Sequence, residues 1–245
     1  SDAGWDALDA ELEVASSGAS TEIAIPLSAL GSADSGDQLS LRAIFVGAAA
    51  AEVLPAAGPA LVAVPDLGNT TILASISDPE ADDYGPGTYT YPSDVVFNAG
   101  NFDILSFEIG EDADNIVFRF ILRGPVDNPW DSPNGLSLQT LDIYIDSAAG
   151  AGASALLPGR NLALEAPYAW DFAIHVEGWF PGIYVPAENG VEQVATASEF
   201  QILTDPGQRK VTIRVPKSIL GDNPGDWAYA ALALSQEGFP SAGVM

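Results

Sequence analysis

Asp78, Asp82 and Asp83 set three hard carboxylates in one short stretch, and Asp103 follows at the head of the next apolar run. Residues of that type at that density suit an oxygen-seeking cation. Calcium takes about six to eight oxygens, some of them backbone carbonyls, and a Pro/Gly-rich loop presents carbonyls readily. Residues 78–100 supply such a loop, with three Pro and three Gly. Without a cation, carboxylates held together repel and raise one another's pKa. Asp171, on a separate predicted strand, is a candidate further ligand. The alternative is a solvated turn in a chain that is acidic throughout. A second acidic run, Asp112-Ala113-Asp114-Asn115, lacks the glycine and downstream glutamate of an EF-hand and reads as a hairpin turn.

Flat aromatic rings offer a second chemistry. Sugars stack their C–H faces on Trp or Tyr, while amides and carboxylates bond the hydroxyls. Trp130, Tyr168 and Trp179 lie in or beside loops and form the candidate platform; Asn134, Gln139 and Asn161 are its candidate polar edge. Each ring taken singly is as well suited to a core. Trp170 and Trp227 open apolar strands and are expected to be buried. Tyr84, Tyr89 and Tyr91 are placed to pin the acidic loop to its scaffold.

Catalytic chemistry finds little support. The only histidine, His175, falls within the alternating run 171–177 and reads as an ordinary strand position. No Gly-x-Ser-x-Gly elbow accompanies it. Glycosidase chemistry needs two carboxylates across a scissile bond, and among 34 acids no pair is singled out. With no cysteine there is no thiolate nucleophile, thiolate metal site or disulfide. Neither a phosphate loop nor a dinucleotide fingerprint is present.

The scaffold these residues need is β-rich. Twenty-four Gly, 18 Pro and frequent two-residue alternation predict short strands and turns rather than helices. Strands are predicted at 22–26, 38–46, 60–64, 70–77, 103–109, 115–122, 138–145, 170–178, 182–185, 199–204, 210–215 and 226–234. Residues 48–65 read as an extended connector. Eight or more strands at this spacing predict an all-β antiparallel sandwich, jelly-roll or immunoglobulin-like. One phrase occurs twice: Ala24-Ile25-Pro26-Leu27-Ser28-Ala29-Leu30-Gly31 with Gly36-Asp37, and Arg214-Val215-Pro216-Lys217-Ser218-Ile219-Leu220-Gly221 with Gly225-Asp226. Each copy reads as strand, Pro-Ser punctuation, helical turn, Gly stop and strand. Residues 1–66 are therefore expected to be the C-terminal part of a first sandwich, and residues 67–245 a near-complete second one. The net charge of −26 argues against nucleic acid, which requires Lys/Arg neutralisation, and against anionic membrane surfaces. No apolar run approaches a membrane span.

The run from Asp78 through Tyr84-Gly85-Pro86-Gly87-Thr88-Tyr89-Thr90-Tyr91-Pro92 resembles the C-terminal binding-module family of glucodextranase and amylopullulanases. So do Asn128-Pro129-Trp130, Ser132-Pro133-Asn134-Gly135-Leu136-Ser137-Leu138-Gln139-Thr140, Leu157-Pro158-Gly159-Arg160-Asn161, Tyr168-Ala169-Trp170-Asp171 and Gln236-Glu237-Gly238-Phe239-Pro240. The similarity covers roughly residues 67–245; residues 1–66 resemble, more weakly, the tail of a similar module. Such modules are relatives of DOMON-like and family-9-like carbohydrate-binding sandwiches. The resemblance implies a non-catalytic module of an extracellular or cell-surface α-glucan-degrading enzyme, holding α-glucan or cell-wall polysaccharide. It also implies structural calcium in the acidic loop. The alternative expectation is a subunit of a surface layer or filament, which completes its sandwiches with neighbouring modules or by self-association. The family pattern continues past Gly243-Val244, and the front of the first module is missing, so the chain is expected to be part of a longer one.

Overall fold

The computed structural model describes residues 12–17, 20–25, 29, 38–46, 51–54, 60–63, 70–84, 91–148 and 152–236. The chain divides into two compact units, Ser1–Asn69 and Thr70–Met245.

In the first unit, β1 (Glu13–Ser17) and β2 (Ser20–Ala24) form an antiparallel hairpin. β3 (Gln38–Leu41) and β4 (Ala43–Val46) pair with β6 (Ala60–Ala63) and β5 (Ala51–Leu54) respectively. Each is a separate two-stranded antiparallel pair, with the β4–β5 pair lying between β3 and β6 in sequence. β5 corrects the expected connector at 48–65: Ala51-Glu52-Val53-Leu54 is a strand within it. The first copy's Pro26–Ser28 punctuation and its Gly31 and Gly36-Asp37 lie outside the described residues.

The second unit is a two-sheet antiparallel sandwich. One sheet has the order β14 (Gln201–Asp205), β15 (Lys210–Pro216), β9 (Asn115–Leu122), β8 (Ile104–Glu111), β7 (Thr71–Ser77). The other runs β13 (Gly190–Thr196), β12 (Gly182–Ala187), β11 (Phe172–Val176), β10 (Gln139–Asp146), β16 (Ala228–Ser235). Alternation explains the layering. Ile116, Phe118, Phe120 and Leu122 of β9 meet Leu141, Ile143 and Ile145 of β10 in the core, all fully buried. Burial of each such side chain stabilises by roughly 1.5–3 kcal/mol.

The second copy of the repeated phrase is the β15–β16 connection. Pro216 ends the strand, and Lys217–Leu220 form a single helical turn, α1, whose Leu220 plugs the core. Gly221 at φ +102° closes the turn, its N–H donating to the Lys217 carbonyl at 2.7 Å. That φ favours glycine.

After β10, residues 152–170 lie over the outer face of its sheet. There Tyr144, Leu156, Leu157, Trp170 and Ala173 make a second, smaller apolar cluster. Trp170 is 1% exposed, and its indole N–H donates to the Ala155 carbonyl at 2.8 Å. Trp227 packs half-buried against the main core.

Candidate functional site

Three loops meet at the end of the sandwich where β8 and β10 begin and β9 and β11 finish. Their described residues are 78–84 with 91–103, 123–138 and 177–181. Gly100, at φ +88°, accepts from the Gly124 N–H at 2.7 Å, and a Cβ on Gly124 would lie 2.4 Å from the Gly100 carbonyl carbon. Only glycine permits this backbone-to-backbone approach. Gln139 locks the same junction: its side-chain N–H groups donate to the carbonyls of Asn101 (3.1 Å) and Pro125 (2.9 Å). Gln139 is fully buried, which removes it from the candidate sugar edge and makes it a strut.

A chain of rings runs across this end. Tyr84 meets Tyr91 at 5.4 Å between centroids, Tyr91 meets Phe102 at 5.3 Å, and Phe102 meets Phe97 at 5.9 Å. Phe97 contacts Trp130 edge-on at 6.0 Å, and Trp130 stacks on Trp179 at 6.5 Å with 24° between planes. Trp130 and Trp179 are half-buried, while Phe180 beside them is 70% exposed. Asn134 holds the two tryptophan loops together, donating to the carbonyls of Glu177 (3.2 Å) and Gly178 (3.0 Å). The Trp130 N–H donates to Ser137 Oγ at 3.2 Å. Two of the three proposed rings therefore share one platform. Tyr168 does not join them: it precedes β11, on the turn Ala166–Tyr168, whereas Trp179 follows it. Asn161 stands exposed in the excursion after β10, also away from the platform.

The acidic loop carries the first four of these rings. Asp103 is buried; its Oδ2 accepts from the Ala81 N–H at 2.7 Å and from Arg123 Nε, and its Oδ1 has no partner. Asp83, its side chain 2% exposed, accepts from the Gly100 N–H at 3.2 Å and lies 3.9 Å from Arg123 Nη2. Burial, then the charges of Asp82 and Asp103, raise the Asp78 carboxyl above its ordinary value. Burial and then the Asp83 charge push the Tyr91 hydroxyl up to about 12. Tyr91 donates to the Asn98 carbonyl at 2.7 Å, which ties the ring chain to this loop. Of the five proposed metal residues, Asp83 and Asp103 share Arg123, and Asp78 feels the charges of Asp82 and Asp103. Asp171 is elsewhere: its Oδ2 accepts from the N–H and Oγ of Ser147 (2.8 and 3.1 Å) and the Ala148 N–H (2.9 Å). Among the described residues no group of three or more His, Asp or Glu is disposed to hold a metal ion. Among the described residues two buried carboxylate oxygens have no hydrogen-bond partner, Asp103 Oδ1 and Glu177 Oε2. Tyr89, within residues 85–90, lies outside the described residues.

Residues 73–244 match the family described as the C-terminal binding-module, SLH-like, of glucodextranase. The chain belongs to this family. The match spans the two-sheet unit from within β7 to beyond β16, and leaves β1–β6 outside it. No curated protein matches the chain. The family is one of binding modules, in keeping with a site built of stacked rings. No helix among the described residues is long and apolar enough to cross a membrane.

Two features of this family member escaped the sequence reading. Arg123 closes the acidic loop from the end of β9. Arg160 bridges to Asp142 on the outer face of β10, with Nε–Oδ2 at 2.6 Å and Nη2–Oδ1 at 3.0 Å. His175 is more than an ordinary strand position: Nδ1 lies 2.9 Å from Asp142 Oδ1 and 2.9 Å from Arg160 Nη2. Burial alone would raise the Asp142 carboxyl, but bonds from His175 and Arg160 hold it below its ordinary value. The Arg160 that carries this latch sits in Leu157-Pro158-Gly159-Arg160-Asn161, where only its burial, invisible in sequence, marks it out.

Proposed function

We propose that this chain is a non-catalytic polysaccharide-binding module of an extracellular α-glucan-degrading enzyme, and that it holds glucan on its loop end. The observation that carries this reading is the Trp130–Trp179 pair, stacked and half-buried, with the exposed Phe180 next to Trp179 in the chain. Such a surface stacks on a run of sugar faces, and the carboxylates and amides around it bond hydroxyls. The family's association with glucodextranase supports an α-glucan as the ligand and an extracellular or cell-surface setting. Calcium in the acidic loop belongs to the same reading: Asp103 Oδ1, Asp78, Asp82 and Asp83 would hold it, stiffening the loop that carries four of the rings. Titration of maltooligosaccharides and dextran oligomers, followed by tryptophan fluorescence, tests the platform. Quenching that disappears in Trp130→Ala supports it; an unchanged spectrum with every glucan argues for the structural-subunit reading. That second reading is favoured by one feature, the edge strand β7, exposed at all seven residues with Ile72, Leu73 and Ile76 uncovered.

A further inference from the structure

The excursion after β10 also walls off a cleft of about 460 Å³ against the sheet, between residues 163–168 and the strands β10 and β16. We propose that this cleft is a second sugar site. It would take one or two neutral hexopyranose units of a polysaccharide, with Tyr168 as the stacking ring and Asp146 and Glu165 as hydroxyl acceptors. The choice of sugar as ligand rests on the reading above, but the two sites share no residue. Five residues of β11 separate them, a span of about 16 Å at roughly 3.3 Å each.

The lining selects the ligand. Tyr168 is 55% exposed. The cleft's other tyrosines are spent elsewhere: Tyr144 is buried with its hydroxyl on Asp142, and Tyr229 packs on Phe118 and donates to the Pro224 carbonyl. One open ring over the small side chains of Ala163, Ala228 and Ala230 suits one flat sugar face. A cage for an organic cation takes several rings around the charge. Two carboxylates and no basic side chain line the cleft, which disfavours uronic acids and phosphorylated sugars. Among the described residues β16 is the edge of its sheet, so alternate residues turn N–H and C=O groups outward beside the cleft. Its volume lies within the range of about 300–1,000 Å³ usual for small-molecule sites.

The wall is built before any ligand arrives. Ala155 bridges Ala163, the Leu164 N–H donates to the Ser154 carbonyl at 2.8 Å, and the Tyr168 N–H donates to Glu165 at 2.8 Å. The Asp142–Arg160 latch anchors the same excursion from below. A preformed wall lowers the ordering cost of binding. Two sites on opposite ends let one module grip two stretches of a polymer, which raises retention by effective concentration alone.

Amide chemical-shift mapping with maltotriose and isomaltotriose, joined to retardation in glucan gels, tests the proposal. Two separate patches should move: one around Asp146, residues 163–168 and residues 228–230, the other around Trp130 and Trp179. Tyr168→Ala should erase the first and keep the second, Trp130→Ala the reverse, and each should cut retardation about tenfold or more. Tyr168 is exposed, so its variant should melt like the parent, within about 0.5 kcal/mol. Shifts confined to the tryptophan patch would overturn the cleft and leave the platform standing. Shifts confined to the cleft would do the opposite. A Tyr168 patch that responds to spermidine but to neither glucan would overturn the sugar assignment.

Discussion

Arg160→Met should loosen the whole outer face of the second unit. In the parent, the Arg160 guanidinium bonds both oxygens of Asp142 at 2.6 and 3.0 Å, with side chains 7% and 0% exposed. Methionine keeps much of the aliphatic stem and removes the charge, so Asp142 stays buried without its main partner. Breaking a buried pair from one side costs about 3–5 kcal/mol. His175 Nδ1 at 2.9 Å and the Tyr144 hydroxyl at 3.0 Å remain on the carboxylate, which puts the expectation at the lower end, about 3 kcal/mol. For a unit the size of Thr70–Met245, each kcal/mol is worth roughly 2–4 °C, so the melting temperature should fall by roughly 6–12 °C. Scanning calorimetry at pH 7 gives the number. The sign of the pH dependence follows from Asp142. Its folded pKa lies below the ordinary 3.8, so its contribution is present above 3.8 and is lost as pH falls through the folded value. Without Arg160, burial pushes the carboxyl upward and the acid loss should begin at higher pH. Pairing the change with Asp142→Leu should recover most of the loss. A loss below about 1 kcal/mol, or a double variant no better than the single, would refute the latch.

Calcium at a hundredfold excess over its Kd should raise the melting temperature of the second unit by the equivalent of about 2.7 kcal/mol, and EGTA should reverse it; no shift and no calorimetric heat would remove calcium from the account. Asp78→Asn gives a pH test of the same cluster. The raised carboxyl of Asp78 contributes stability that is present below 3.8 and lost as pH rises through the folded value. The variant should therefore melt slightly higher than the parent at pH 7 in EGTA, equally at pH 3.5, and lower in calcium. Residues 1–66 expressed alone should give a poorly dispersed amide spectrum. Their described strands form only two-stranded pairs and leave Val14, Ile23, Ile44 and Val46 exposed, and isolated hairpins are marginal in water. A dispersed, monomeric spectrum would contradict the half-sandwich reading.

Much of the second unit was legible because its central strands alternate cleanly. Residues 115–122, 138–145 and the hairpin around Asp205-Pro206-Gly207 appear as β9, β10 and β14–β15 within two residues at each end. β13 was not legible: it is an edge strand with one buried residue in seven, so Val191-Glu192-Gln193-Val194 carries no inside–outside pattern. β5 hid for a different reason, its four residues lying among Ala, Pro and Gly that read as a connector. At the site, residue type named Trp130 and Trp179 but could not say that they stack, since that depends on Asn134 reaching across more than 40 positions to Glu177 and Gly178. The same limit misplaced Gln139, whose amide satisfies carbonyls on two distant loops. Arg123 and Arg160 went unremarked because their carboxylate partners lie 20 and 18 residues away.

The central claim is that the stacked tryptophans at the loop end hold glucan. Affinity electrophoresis through gels containing soluble starch or dextran, with Trp130→Ala and Trp179→Ala beside the parent, tests it most directly. The parent should be retarded and both variants should lose about tenfold or more of that retardation, with far-UV circular dichroism unchanged. Truncating an aromatic anchor of a binding surface costs about 2 kcal/mol or more, which at 1.4 kcal/mol per decade exceeds a tenfold loss. Variants that are folded and retarded as strongly as the parent would contradict it.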